Sequence, residues 1–314
     1  ATRLQISQAL ADAQTEDQVT ETTVQTANLY PQAGVGVLLF DPAASEPTLV
    51  LHRFAAFESE IQFVPNGTKF PASQFMLMDQ LGPDQDFVTP NILTDERADA
   101  ASRQVAQGAG IVSTLTLPIT AGAEWIGILL AASPQEGFFD AQKLTFYRSL
   151  AEQSAVAIQA ARLRDALSLT QFSVDRATES IFWIRPDGSL AYVNDTTCQR
   201  LGYSRQELLE MTVFDLDPNF PQEIWAEHWH QVREQKQFSI ETQHQTKDGQ
   251  LIPVEAAINY MEYGGQEYNS AFARDITERK QAEIELSRQA SIINNSRDYI
   301  GAVDMQGKQV YVNP

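Results

Sequence analysis

Five residues of this chain return in the same order 119 positions later: Ile181, Gly188, Tyr192, Val193 and Asn194 recur as Ile300, Gly307, Tyr311, Val312 and Asn313. Both copies read as a short strand, a glycine turn and a second strand ending in Tyr-Val-Asn. A repeat at this spacing belongs to an array of modules, each a packed unit of roughly 100 residues. The second copy stops at Pro314, so the sequence predicts that the array continues in a longer parent protein.

The composition is that of folded modules: 43% of residues are hydrophobic and 20% charged. A formal net charge of −19 repels phosphates, which argues against nucleic acid or an anionic membrane surface as the main partner. The single cysteine, Cys198, permits no disulfide within the chain and suits a reducing compartment. The longest apolar runs, 34–40 and 125–132, have strand length and fall far short of a membrane span. A cytoplasmic location is expected.

The first half alternates helix and strand patterns. Residues 2–29 carry a helical pattern, with Leu4, Leu10, Val19 and Val24 among polar neighbours. Strands are expected over 34–40 and 48–55, and a short helix over 71–81. Segments 111–119 and 124–132 read as a hairpin about Ala121-Gly122-Ala123, and Asp140 as the N-cap of a helix running to about Gln171. Two apolar stripes run along that helix. Leu144, Tyr147, Ala151, Ala155 and Ile158 would cover their own sheet, whereas Val156, Ala160, Leu163 and Leu167 keep the +4, +3, +4 spacing of a coiled-coil seam. One wide core-facing surface is the plainer reading, but the second stripe outlasts the domain, which favours a homodimer seam.

In the second half, strands over 180–184 and 190–194 flank the turn Pro186-Asp187-Gly188. Helices follow over 195–201, 204–211 and 221–234, and three more strands over 238–246, 251–260 and 266–274. Ser204 and Glu207 have capping-box spacing. The expected class is α+β: two domains, each a central antiparallel sheet with flanking helices, joined by a long coiled-coil-like helix. The domains are placed at 1–165 and 166–280, with 281–314 a linker helix and the start of another unit.

Residues 172–280 resemble a PAS domain with its C-terminal PAC extension. The resemblance rests on Asp187-Gly188, Tyr192-Val193-Asn194, Leu201-Gly202-Tyr203, Lys247-Asp248-Gly249 and the run Phe272-Ala273-Arg274-Asp275-Ile276-Thr277-Glu278-Arg279. Residues 291–314 look like the start of a second PAS domain. Residues 1–165 resemble a GAF domain through Gly110-Ile111-Val112-Ser113, Leu117-Pro118-Ile119 and Trp125-Ile126-Gly127-Ile128-Leu129. Such tandems resemble the input halves of bacterial sensor histidine kinases, and less often of cyclic-dinucleotide enzymes. The resemblance implies a sensory module with an output domain further along the parent. No phospho-acceptor histidine box, nucleotide-binding glycine motif or Gly-Gly-Asp/Glu-Glu-Phe signature occurs here, so no catalysis is expected of this chain.

Candidate ligand-pocket residues in the PAS-like half are Phe182, Asn194, Phe214, Trp225, Trp229 and Phe272, with Phe220 beside them. Trp225 and Trp229 lie four apart on one helical face. Core packing is the plainer reading of the aromatics, and an N-cap that of Asn194. His228 stands roughly where haem-binding PAS domains carry an axial histidine, so a haem sensor is the alternative; otherwise His228 lies on a solvated helix surface. No cofactor and no metal site is predicted, because His52, His228, His230 and His244 have no ligating spacing with cysteine. Cys198 reads as a small apolar filler. In the GAF-like half the pocket candidates are Phe75, Met78, Ile92, Ser113, Leu115 and Trp125. At the exit from the PAS-like half, Asp275, Thr277 and Glu278 are candidates for signal relay, with Asp275 and Glu278 spaced to cap the next helix reciprocally. A ligand-free dimerisation scaffold remains open beside both sensory readings.

Overall fold

A computed structural model describes residues 3–55, 65–74, 81–294, 301–306 and 309–312. The chain divides into two compact units, Ala1–Ser168 and Leu169–Pro314.

The first unit opens with two helices, α1 (Arg3–Ala11) and α2 (Glu16–Ala27), where the sequence pattern predicts one. The break is chemical. Gln18 N–H donates to the Thr15 hydroxyl while the Thr15 N–H donates to the Gln18 side chain, so a capping box restarts the helix. Strands β1 (Gly34–Phe40), β2 (Thr48–Ala55), β3 (Lys69–Pro71) and β4 (Phe87–Thr89) precede α3 (Ala100–Gly108), and β5 (Ser113–Ala121) and β6 (Glu124–Ser133) follow it. All pairings are antiparallel, in the order β3-β2-β1-β6-β5-β4. Pro71, expected to begin a helix, instead pairs with Thr48 on the sheet edge, where its missing N–H costs no ladder bond. A single 3₁₀ turn, Ala72–Gln74, follows it. The unit closes on α4 (Ala141–Asp175), whose residues from Leu169 on belong to the second unit and whose start is held by the Lys143 N–H donating to Asp140 Oδ1 at 2.9 Å.

The sheet is apolar on both faces. Val35, Val37, Leu39, Leu115, Leu117 and Leu129 meet Tyr147, Leu150, Ala155 and Ile158 of α4 in the main core. Leu38, Leu49, Leu51 and Ile128 gather on the opposite face with Phe40, Phe54 and Trp125. The continuous run in β1 is therefore a strand covered on both sides, not an alternating one. Gly127 of β6 lies tight against β1: a Cβ there would lie 2.2 Å from the Leu38 carbonyl oxygen. Backbone cannot swing aside as a side chain can. Gly127→Ala is expected to cost roughly 3 kcal/mol, the upper part of the overpacking range. Urea unfolding of the first unit checks this, and a loss below 1 kcal/mol contradicts the close approach.

In the second unit β7 (Ser180–Ile184) and β8 (Leu190–Val193) form a hairpin about Gly188, whose φ of +85° suits glycine. Four helices follow: α5 (Asp195–Leu201), α6 (Arg205–Leu209), α7 (Val213–Leu216) and α8 (Gln222–Gln235). The sequence patterns omit α7, which is a single turn. Ser204 and Glu207 cap α6 reciprocally, as their spacing predicts. Strands β9 (Gln237–Gln245), β10 (Leu251–Tyr263) and β11 (Gln266–Asp275) complete an antiparallel sheet in the order β8-β7-β11-β10-β9. The helices cover one face of it, so the expected α+β class holds for both units. Helix α9 (Thr277–Asn294) leaves the sheet, and β12 (Gly301–Val303) pairs with β13 (Gln309–Val312).

Candidate functional site

Strand alternation sends every second side chain of the second sheet toward the helices. From β7 these are Phe182 and Ile184; from β9, Ile240, Thr242 and His244; from β10, Ala256 and Ile258; from β11, Asn269, Ala271 and Ala273. Three alanines on the adjacent strands β10 and β11 leave a gap beneath Leu216, Phe220, Trp225 and His228 of the helical layer. The result is a cavity of about 40 Å³.

Its wall is mostly apolar, with five polar side chains. Asp217 is buried and accepts hydrogen bonds from Thr242 Oγ1 at 2.8 Å and from the Asn219 N–H at 2.9 Å. Burial still pushes its carboxyl above the usual carboxylate range. His228 sits among the rings of Phe220, Trp225 and Phe238, at centroid distances of 4.7, 5.2 and 5.9 Å. His244 lies 5.3 Å from the Phe182 ring. Burial lowers the pKa of both imidazoles, that of His244 to about 4, with Arg200 adding to the effect. His244 Nδ1 and Asn269 Oδ1 are buried without a hydrogen-bond partner.

The structure sorts the expected pocket residues. Phe182 and Trp225 line the cavity, as does Phe220, and Trp225 is anchored by its indole N–H to the Pro186 carbonyl at 2.8 Å. Phe214 packs edge-on against Trp225 and over Gly188, and Trp229 is buried behind Trp225 with its indole N–H unpaired; neither lines the cavity. Phe272 belongs to the opposite face. It pairs with Ile181 and Ala257 and alternates with Ala271 and Ala273, which do face the cavity. Asn194 is spent as a cap: its Oδ1 accepts from the Ile181 and Thr197 N–H groups, and its Nδ2 donates to the carbonyls of Val174 and Glu179. Asp217, His244 and Asn269 are missing from the sequence-based set. The signal for His244 was the alternation in β9, which places it two residues from Thr242 and four from Ile240.

His228 is buried, not on a solvated surface. A haem does not fit beside it: three aromatic rings hold the imidazole, and 40 Å³ is far below the roughly 300 Å³ of a small-molecule pocket. Among the described residues no group of three His, Cys, Asp or Glu could hold a metal ion. Cys198 is half-buried against the same core, and burial raises its thiol pKa.

In the first unit the expected pocket residues part company. Ile92 packs with Ala98, Ala106, Ile111 and Ala132; Leu115 lies in the main core under α4; Trp125 lies on the far face against Phe40. Ser113 donates to the Gln135 carbonyl. Alternation in β5 sends Leu115 to the α4 side, so these four do not form one pocket. Phe75 and Met78 lie outside the described residues.

At the exit, Asp275 Oδ1 accepts from the Thr277 N–H at 2.8 Å, an Asx turn, while Ile276 is buried and donates its N–H to the Pro253 carbonyl. Among the described residues no return bond from Glu278 completes a capping box, because Asp275 lies two residues, not three, before the N–H it caps. A second hold comes from β9. Glu241 faces away from the cavity, between Ile240 and Thr242, and grips Lys280 Nζ and Arg279 Nη2 at 2.6 Å each. Lys280, then Arg279, keeps the Glu241 carboxyl below the usual range. At the entrance, Arg205 bridges Asp175 and Asp195 at 2.9 and 2.7 Å, and the Tyr192 hydroxyl donates to Asp175.

Residues 13–159 match the GAF domain family and residues 178–278 the PAS domain family. The chain carries a GAF domain followed by a PAS domain. It is 30% identical over 219 residues to the methyl sulfide methyltransferase-associated sensor of Methanosarcina acetivorans, covering 67% of this chain and 21% of that protein. It therefore spans about a fifth of that relative's length. Among solved structures, it is similar to the PAS domain of an HTR-like protein from Haloarcula marismortui (23% identity, 38% of this chain and 98% of that one, TM-score 0.37). It is also similar to the phycocyanobilin-bound GAF domain of a cyanobacterial phytochrome (16% identity, 52% and 97% covered, TM-score 0.45). With these two domains the chain is a sensory module of signal transduction. Among the described residues no helix is long and apolar enough to cross a membrane.

Proposed function

We propose that the chain is the input region of a sensor histidine kinase, and that its PAS cavity perceives a small molecule whose binding is passed to α9. On this reading the chain performs no catalysis itself. The seam of Val156, Ala160, Leu163 and Leu167 holds it in a homodimer, residues from Ser291 begin a second PAS domain, and the output domain lies beyond. The relative's description as a sensor supports the sensory part of this reading. One observation carries it. Glu241, which fastens Arg279 and Lys280 of α9, is flanked on β9 by Ile240 and Thr242, which line the cavity. A shift of β9 on ligand binding therefore reaches the helix base through Glu241, and a shift of β10, whose Ala256 also lines the cavity, through Glu255, 4.0 Å from Arg279. The ion pairs are solvent-exposed and therefore weak. A latch of that strength can be released by ligand, which a buried network could not. Glu241→Gln in the full-length parent is expected to shift basal kinase output roughly two- to fivefold. Autophosphorylation assays check it, and output identical to the parent's at all stimulus levels would sink the relay.

A further inference from the structure

The polar atoms of the PAS cavity select for a ligand by charge as well as by size. None of its lining residues is a lysine or arginine. Arg200, whose charge is felt at His244, donates to the Ser180 hydroxyl and to the carbonyls of Ala273 and Thr178. An anion buried here would have no counter-charge and would face the Asp217 carboxyl, a costly placement. A cation would find one counter-charge, the Asp217 carboxyl, which is turned toward Thr242 and Asn219 and which burial pushes toward its neutral form. What the wall leaves open is neutral. Asn269 is 1% exposed and its Oδ1 has no donor; His244 is 8% exposed and its Nδ1 has no partner. Buried atoms left in this state are met by ordered water or by a ligand.

Resting on the reading of this cavity as the sensing site, we infer that it takes an uncharged molecule of a few heavy atoms carrying an N–H or O–H donor, a short amide or alcohol, held through Asn269 and His244. Size follows from the volume. A water needs about 10–15 Å³ of such space, so 40 Å³ admits about three waters or a molecule of roughly three to five heavy atoms. The donor follows from Asn269 Oδ1, which can only accept. The apolar body follows from Ala256, Ala271 and Ala273, whose methyl groups form the floor.

Acetamide and acetate test this directly, being alike in shape and different in charge. The full chain, labelled at alanine methyl groups, is titrated with each, and the resonances of Ala256, Ala271 and Ala273 are followed by NMR. The expected result is saturable shifts of these methyls by acetamide, with acetate at least tenfold weaker. Asn269→Leu and His244→Gln should each weaken acetamide severalfold, with the methyl spectrum itself reporting that each variant folds. Acetate binding as well as acetamide would overturn the neutral-ligand inference while leaving the cavity a ligand site. Acetamide binding unchanged in both variants would overturn the assigned contacts. If neither probe moves these methyls, the inference and the sensing site fail together.

Discussion

Lowering the pH from 7 to 4.5 is expected to remove roughly 2.5 kcal/mol of the PAS unit's unfolding free energy through His244 alone. The imidazole is buried, its Nδ1 has no partner, and its pKa falls from 6.5 to about 4 in the folded chain. A depressed histidine pKa means that the unfolded chain binds the proton more tightly. The stability is therefore fully present above pH 6.5 and is lost as the pH falls toward 4. His228 shifts in the same direction and adds to the loss, whereas Asp217, with its raised pKa, opposes it toward the acid end. Carboxylates with lowered pKa values, such as Glu207 and Glu241, lose their contributions only below about pH 4.5, so the window above it belongs to the histidines. Three of the four tryptophans, Trp183, Trp225 and Trp229, lie in the PAS unit, so urea unfolding followed by fluorescence reports mainly on it. His244→Leu should flatten the slope between pH 7 and 4.5, leaving the part due to His228. A wild-type stability that is level across this window would show that His244 is not held neutral in the core.

The class of fold was legible because strand and helix periods stay clean across both units, and the capping boxes and glycine turns fall between them. What alternation leaves undecided is which face of a strand looks where. Phe272 has the size of a pocket residue, but its neighbours Ala271 and Ala273 hold the cavity face; small residues mark the cavity because they leave room, a signal opposite to aromatic content. The same error of face put Leu115 and Trp125 in one pocket. Asn194 shows the converse difficulty. Its position before α5 permits either a cap or a ligand contact, and only the five hydrogen-bonding groups around its amide decide for the cap. Glu241 could not be found from local sequence, since its partners Arg279 and Lys280 lie nearly forty residues away and meet it only because the start of α9 packs against β10, the neighbour of β9.

Replacing Leu163 by glutamate is expected to convert the chain from a dimer to a monomer, whereas the same change at Leu169 leaves the dimer intact. Both leucines are 67% exposed, so exposure alone cannot distinguish them. The heptad does. Val156, Ala160, Leu163 and Leu167 continue one +4, +3, +4 row, while Leu169 falls two positions past Leu167 and faces away from it. Val156 and Leu167, at 63% and 68% exposed, are open like Leu163, on a helix whose Leu150, Ala151, Ala155 and Ile158 are buried against the sheet. Pairing two such rows in parallel removes those side chains from water, and the match of Leu163, Leu167 and Val174 by Ala282, Leu286 and Ile293, 119 residues or seventeen heptads later, lets α9 continue the same seam. A glutamate at position 163 places two carboxylates against each other in that seam without a counter-charge, which costs a few kcal/mol and weakens association at least a hundredfold. Sedimentation equilibrium at tens of micromolar separates the outcomes. A monomeric wild type removes the seam altogether. Equal behaviour of the two variants would mean that the exposed leucines do not act through the heptad, and the two seams would then be no more than a shared inheritance of the repeat.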